Sequence, residues 1–312
     1  MSVTFVPLLA RPLRVRPQMV GGDMLLGLDL KTWLGLTVIG SAVSTVGALL
    51  GILLKEYFFS RSFERWKQRQ SLELVYQKYR DPLMLSAREL ASRTIEIVTD
   101  YPTVYLNSRV LASHPKRQVK NSNEDRYFQR YKLLSTVFRF CALLGWLELY
   151  RQEITYLHSG NNKRSRELER AIELVRADLA DGQLNDAKDW EEWRDTLVFR
   201  EELRGIGESM IEARGAMRTV IGYGRFAELF DSDEVSSTQR WARVLLNFLL
   251  DLEVERPDFR QTRLQRLVVH LVGLMVLLDK RSIETRLVEE RDKLAKRLGM
   301  QTSRYQGKLR RL

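Results

Sequence analysis

The 312-residue sequence predicts an all-α protein: one N-terminal transmembrane helix followed by a cytosolic multi-helix bundle. Three observations predict it. Residues 32–54 contain no charged side chain, and at 1.5 Å rise per residue they form a helix of roughly 34 Å, enough to cross a hydrocarbon core. Seven prolines and eighteen glycines are few for this length, which favours long helices over a sheet with frequent turns. Apolar residues downstream recur at helical spacing, as in Leu168, Ile172, Val175 and Leu179 at i, i+4, i+7 and i+11.

The N-terminal tail, residues 1–31, holds Pro7, Pro12 and Pro17 with Arg11, Arg14 and Arg16 and is expected to be irregular. The apolar run starts too late and is too long for a secretory signal. Lys31 and Trp33 stand at its first boundary, and Lys55, Tyr57, Phe58 and Phe59 at its second, the residue types that settle at headgroup depth. Within the run Gly40, Ser44, Gly47 and Gly51 share one face, where small side chains let helix backbones approach closely. This face predicts self-association. Basic residues are more frequent after the run than before it, which places the C-terminal domain in the cytoplasm.

Residues 55–80 predict a juxtamembrane helix. Phe59, Phe63 and Trp66 lie on one of its faces, and Arg61, Arg65, Lys67 and Arg69 form a lipid-facing basic cluster suited to anionic headgroups. Asp81-Pro82 predicts a helix restart, with Asp81 as N-cap and Pro82 at the first helical position. The next helix places Leu83, Leu85, Leu90, Ile95 and Val98 on its apolar side and breaks at Tyr101-Pro102. His114 to Asn123 predicts a polar, basic loop. Tyr127 to Leu157 predicts a long helix, apolar almost all round, with Cys141 as a small buried hydrophobe and Arg139 in need of a carboxylate. Arg139 in its middle argues against a second span.

Ser159 to Asn162 predicts a turn and Arg164 to Ala180 a surface helix. Asp189 to Arg218 predicts a helical region whose Gly205, Gly207 and Gly215 mark close helix approach. Gly222 and Gly224 mark a bend. A cap at Ser236, Ser237 or Thr238 opens a helix to Val254, and Pro257-Asp258 opens another to Lys280, with His270 as a core histidine bonded to backbone or carboxylate. A charged helix, Ile283 to Leu298, ends at Gly299. Residues 81–298 form the helical cytosolic domain and 299–312 a basic tail. No strand-type alternation of useful length is present.

Charge is polarised. Residues 280–312 carry eleven Lys/Arg against four Asp/Glu, and residues 181–208 carry nine acids against four bases. The basic tail, with Arg304, Lys308, Arg310 and Arg311 around Tyr305, is a weak nucleic-acid signal and complements the acidic stretch or anionic lipid. One cysteine excludes an internal disulfide, and His114, His158 and His270 form no metal-ligand spacing, so no metal or cofactor is predicted. No phosphate loop or catalytic triad can be assembled. Arg200, Glu201, Arg204 and Glu208 form a candidate contact site: Glu201 and Glu208 fall on one helix face, and their alternation with arginine predicts ion pairs before catalysis.

Tyr79-Arg80-Asp81-Pro82-Leu83, the stretch Trp146 to Glu153 (WLELYRQE) and the stretch Phe199 to Met210 (FREELRGIGESM) stand in this order behind one span. The pattern resembles a broad set of bacterial single-span membrane proteins with a helical cytosolic domain. The resemblance implies the topology and the inner membrane, and no activity. The expected function is a membrane-anchored, self-associating helical interaction module that binds a protein partner or anionic inner-leaflet lipid, and not an enzyme. The alternatives are a membrane-perturbing effector, as in bacterial immune systems, and a carboxylate-dependent enzyme built on Glu201 and Glu208.

Overall fold

The computed structural model describes residues 24–25, 28–53, 55, 61–100, 105–108, 126–155, 163–180, 196–215, 217–252 and 258–300. They are mostly helical, and the chain divides into two units, Met1–Arg65 and Trp66–Leu312. The expected features of the tail before Met24, the loop from His114, the turn Ser159 to Asn162, His158, most of the acidic stretch after Asp181 and the basic C-terminal tail lie outside the described residues.

In the first unit, strands β1 (Met24–Leu25) and β2 (Leu28–Asp29) pair antiparallel, Leu25 opposite Leu28, and lead directly into α1 (Leu30–Leu53). The side chains from Trp33 to Leu53 are all exposed. Three hydroxyls of α1 bond back within the helix: Thr37 Oγ1 donates to Trp33 O at 2.9 Å, Ser41 Oγ to Val38 O at 2.9 Å and Thr45 Oγ1 to Ser41 O at 2.8 Å. Such back-bonding relieves these groups of the need for water.

Helix α2 (Arg61–Ile95) runs through Asp81-Pro82 without a break, so the expected restart does not occur. An interior proline removes one helix hydrogen bond and costs roughly 3 kcal/mol. Packing outweighs it here, because Leu72 and Tyr79 before Pro82 and Leu83, Ala87 and Leu90 after it are all buried on one side. Leu85, expected on that side, is exposed. The helix ends in a π-turn, Glu96–Asp100.

Helix α3 (Arg126–Thr155) is as apolar as a span, yet 83% of its hydropathic window is buried inside the protein. It packs against α5 (Arg200–Ser209) and α7 (Ser237–Leu249), while α4 (Lys163–Leu179) packs on α8 (Phe259–Asp279) and α8 on α9 (Thr285–Arg297). Short α6 (Tyr223–Phe230) adds Phe226 and Phe230 to the core. The expected caps hold at three places: Ser236 Oγ accepts from Gln239 N, Asp258 Oδ1 accepts from Arg260 N, and Gly299 takes a positive φ of 65° after α9.

One departure from an all-helical domain follows α5. The region expected to be helical to Arg218 turns into a hairpin of β3 (Ile211–Arg214) and β4 (Met217–Val220), paired Ile211 to Val220 and Arg214 to Met217. Gly215 opens the two-residue turn at φ 62°, the left-handed conformation a tight hairpin requires. Gly215 therefore serves a turn, whereas Gly205 and Gly207 serve close approach. A Cβ on Gly207 would lie 2.7 Å from the Leu144 carbonyl oxygen, and one on Gly205 2.8 Å from the Trp241 ring. Replacing Gly207 by alanine is expected to destabilise the helical domain by about 1–3 kcal/mol, since backbone must shift; chemical denaturation with an unchanged midpoint would refute the close approach.

Candidate functional site

The last turns of α3 gather the charges. Glu148 sits within an apolar run, and its residue is 0% exposed. Arg151 lies one turn on and closes on it with Nε at 2.8 Å and Nη2 at 2.5 Å, while Gln152 Nε2 donates at 2.8 Å. Arg176 of α4 approaches to 3.7 Å and also pairs with Glu173. Burial alone would push the Glu148 carboxyl up. The hydrogen bonds from Arg151 and Gln152 and the charges of Arg151 and Arg176 outweigh it and hold the group below its usual range.

Glu153 sits one turn further, at the surface. Tyr79 of α2 donates its hydroxyl to Glu153 Oε1 at 2.6 Å, and Lys78 pairs with the same oxygen. The Tyr79 ring meets Trp146 and Tyr150 edge-on, with centroids 6.4 and 6.1 Å apart. Burial opposes ionisation of Glu153, but Lys78, Tyr79 and Arg218 prevail and lower its pKa.

This end of α3 brings together the three stretches on which the resemblance rests. Tyr79 touches the second stretch, and Gly207 of the third lies against Glu148, whose Cβ would be 2.9 Å from an added glycine Cβ. The candidate contact residues themselves separate. Arg200 Nη1 donates to Glu173 Oε2 at 3.2 Å, and Glu208 acts on the Arg151 guanidinium through its charge. Glu201 and Arg204 are exposed on α5. Glu202, between them, accepts a hydrogen bond from the Phe199 amide at 2.8 Å and closes the first turn of α5. Among the described residues, no group of acidic, histidine or cysteine side chains is arranged to hold a metal ion.

The remaining expected residues are placed as follows. Gly40, Ser44, Gly47 and Gly51 are exposed on α1, with open space around each glycine. Lys67 is exposed; Arg61, Arg65 and Arg69 belong to α2, and their side chains lie outside what is described. His270 of α8 has the expected carboxylate partner, Asp178 of α4, at 2.6 Å from Nδ1. Burial pushes the Asp178 carboxyl up against the opposing pull of His270, Arg266 and Arg263. Cys141 is buried, and burial pushes its thiol well above the ordinary range, as for an inert core residue. Arg139 is half-buried and, among the described residues, is hydrogen-bonded to no carboxylate; Glu89 and Glu96 act on it only at a distance.

Sequence reasoning passed over Glu148 and Glu153. A carboxylate inside the apolar run LLGWLELY was the available signal, because a charge there must be paired. It also missed Arg260, buried to 2% exposure, which holds Asp258 and donates to the carbonyls of Phe248, Leu250 and Asp251. That side chain ties the end of α7 to the start of α8.

Replacing Glu148 by glutamine leaves Arg151 and the partly buried Arg176 facing a neutral group, Arg176 keeping only Glu173, and is expected to cost about 1–3 kcal/mol of stability. The lowered folded-state pKa of Glu148 means that the unfolded chain binds more protons in acid. Its contribution is present above the unfolded value of about 4.3 and is lost as pH falls through the folded one. The variant should therefore lose stability less steeply with acid than the parent, and parallel pH profiles would remove the assignment. Comparison with protein-family models, curated proteins and solved structures finds no match for the chain.

Proposed function

We propose that the chain is a single-pass, membrane-anchored helical module that self-associates through α1 and presents its helical domain to a partner on the cytoplasmic face. One contrast carries the reading. Among the described residues, two helices are long and apolar enough to cross a bilayer; α3 is covered by its own domain, and α1 is 0% buried over Trp33–Leu53. An uncovered helix of that kind exposes ten large aliphatic side chains between Leu34 and Leu53. Each favours the bilayer centre by about 0.3–0.6 kcal/mol, several kcal/mol in sum.

The face of Gly40, Ser44, Gly47 and Gly51 supports close pairing of two such helices, because no described residue fills the space beside its glycines. Beyond the span, the exposed Phe63 and Trp66 with Lys67 and the neighbouring arginines suit an anionic leaflet. Exposed Glu201 and Arg204 with Glu208 offer charges of both signs to a protein partner.

Alkaline carbonate extraction tests the anchor. The full chain should stay with the membrane, and the double replacement Val43→Arg, Leu50→Arg, at about 2.5–3.5 kcal/mol per arginine, should release it. A mature chain that begins beyond α1, read by intact mass, would instead make this helix a cleaved signal. Cross-linking in mild detergent tests pairing: Gly47→Leu and Gly51→Leu should each lower the dimer fraction, and a strictly monomeric parent at micromolar concentration would end that part of the proposal.

A further inference from the structure

A second polar layer lies apart from the α3 C-terminus, between the end of α2 and the first half of α3. Lys132, Ser135, Thr136 and Arg139 occur at i, i+3, i+4 and i+7, one polar face in the otherwise apolar stretch from Lys132 to Leu147. Opposite stand Arg93 at the end of α2 and Glu96 in the π-turn, an irregularity common at functional sites. Arg93 Nη1 donates to Glu96 Oε2 at 2.9 Å, and Lys132 pairs with Glu96 Oε1. The Tyr105 ring lies between the two cations, 5.7 Å from Arg93 Cζ and 5.5 Å from Lys132 Nζ.

Charge in this layer does not balance. Arg93, Lys132 and Arg139 bring three positive charges against the single carboxylate of Glu96; Glu89, exposed on α2, is the other acid acting on Arg139. Two donors are also left over. The Nε of Arg93 and the hydroxyl of Tyr105 are buried and complete no hydrogen bond of good geometry, although the hydroxyl lies close to Arg93 and Thr136, and both residues are at most 5% exposed. Each such group costs about 1–3 kcal/mol, and in native structures commonly marks a bound water or ion. The Ser135 and Thr136 hydroxyls spend their protons on Lys132 O; their oxygens can still accept, and Thr136 stands beside Tyr105, but they bring no negative charge to the layer. Burial, and after it the like charge of Arg93, pulls the Arg139 pKa down, so this guanidinium is held where an anion would relieve it. Lys132 and Arg139 are only half-buried, which leaves the layer open to solvent at α3.

We propose that this layer is an oxyanion site for a phosphate monoester or free phosphate, held by Arg93, Arg139 and the Tyr105 hydroxyl. Planar guanidinium groups and a phenol supply fixed donors suited to a tetrahedral oxyanion, and the excess of two charges over Glu96 matches a dianion. The site is independent of the membrane anchor. It would make the helical domain responsive to a phosphate-bearing ligand.

Titration calorimetry on the full chain in mild detergent, with inorganic phosphate at ionic strength held constant by sodium chloride, tests this. Saturable binding is expected. Arg139→Gln and Tyr105→Phe should each weaken it by about tenfold, the loss of one charge-assisted or buried donor. Unchanged circular dichroism and thermal midpoint establish that both variants fold. Absence of saturable phosphate binding at millimolar concentration, or parental affinity in both folded variants, overturns the proposal. Neither result bears on membrane retention. Flotation with phosphatidylcholine vesicles, with and without phosphatidic acid, then separates the sources: retention that depends on phosphatidic acid and is competed by inorganic phosphate identifies a lipid headgroup, and its absence beside calorimetric binding identifies a soluble phosphate.

Discussion

Glu148 is the constraint to which the helical domain conforms. It stands in the C-terminal third of a helix that is covered on nearly every side, so its charge needs partners in fixed places. Arg151 and Gln152 come from the same helix, but Arg176 has to be delivered by α4. The third wall of its pocket is α5, and α5 fits only because Gly207 has no side chain to strike the Leu144 carbonyl. A buried ion pair adds little net stability, yet removing one partner is severe, which makes such a pair specific about which helices meet.

The same device recurs at other joints. Asp178 and His270 connect α4 to α8, and Asp258 with Arg260 connects α7 to α8. Glu96, with Arg93 and Lys132, connects α2 to α3. Each joint sets a carboxylate against a basic side chain and ties in a group from another element, within a core otherwise built from leucine, valine and phenylalanine. Apolar packing supplies most of the driving force and is indifferent to register; these pairs select the register. The α2–α3 joint differs from the others in carrying more positive charge than its carboxylate answers, which is why it can serve a ligand as well as the fold.

Much of this was legible in the sequence. Helix positions followed from apolar spacing, and the caps at Ser236, Asp258 and Gly299 from residue chemistry. The close approach at Gly205 and Gly207 was visible because glycine in a helix is otherwise unfavourable. Pro82 misled, because local propensity says nothing about the buried side chains that flank it. The β3–β4 hairpin was hidden by its shortness: four residues per strand give too few alternations to stand out. The candidate site was legible only as three separated stretches. Their meeting depends on contacts such as Tyr79 to Glu153, 74 residues apart.

The comparison of α1 with α3 marks the division. By itself the sequence determined that both are long apolar helices, because hydropathy and period are properties of consecutive residues. It also determined the row of Gly40, Ser44, Gly47 and Gly51. Only the tertiary structure decided that α3 is wrapped by its neighbours while Trp33–Leu53 of α1 is exposed among the described residues, because burial is a relation between segments remote in sequence. It likewise decided that Glu148 is fully paired while the Arg93 and Tyr105 donors are not, since hydrogen bonds are completed by groups whose positions the local sequence does not specify.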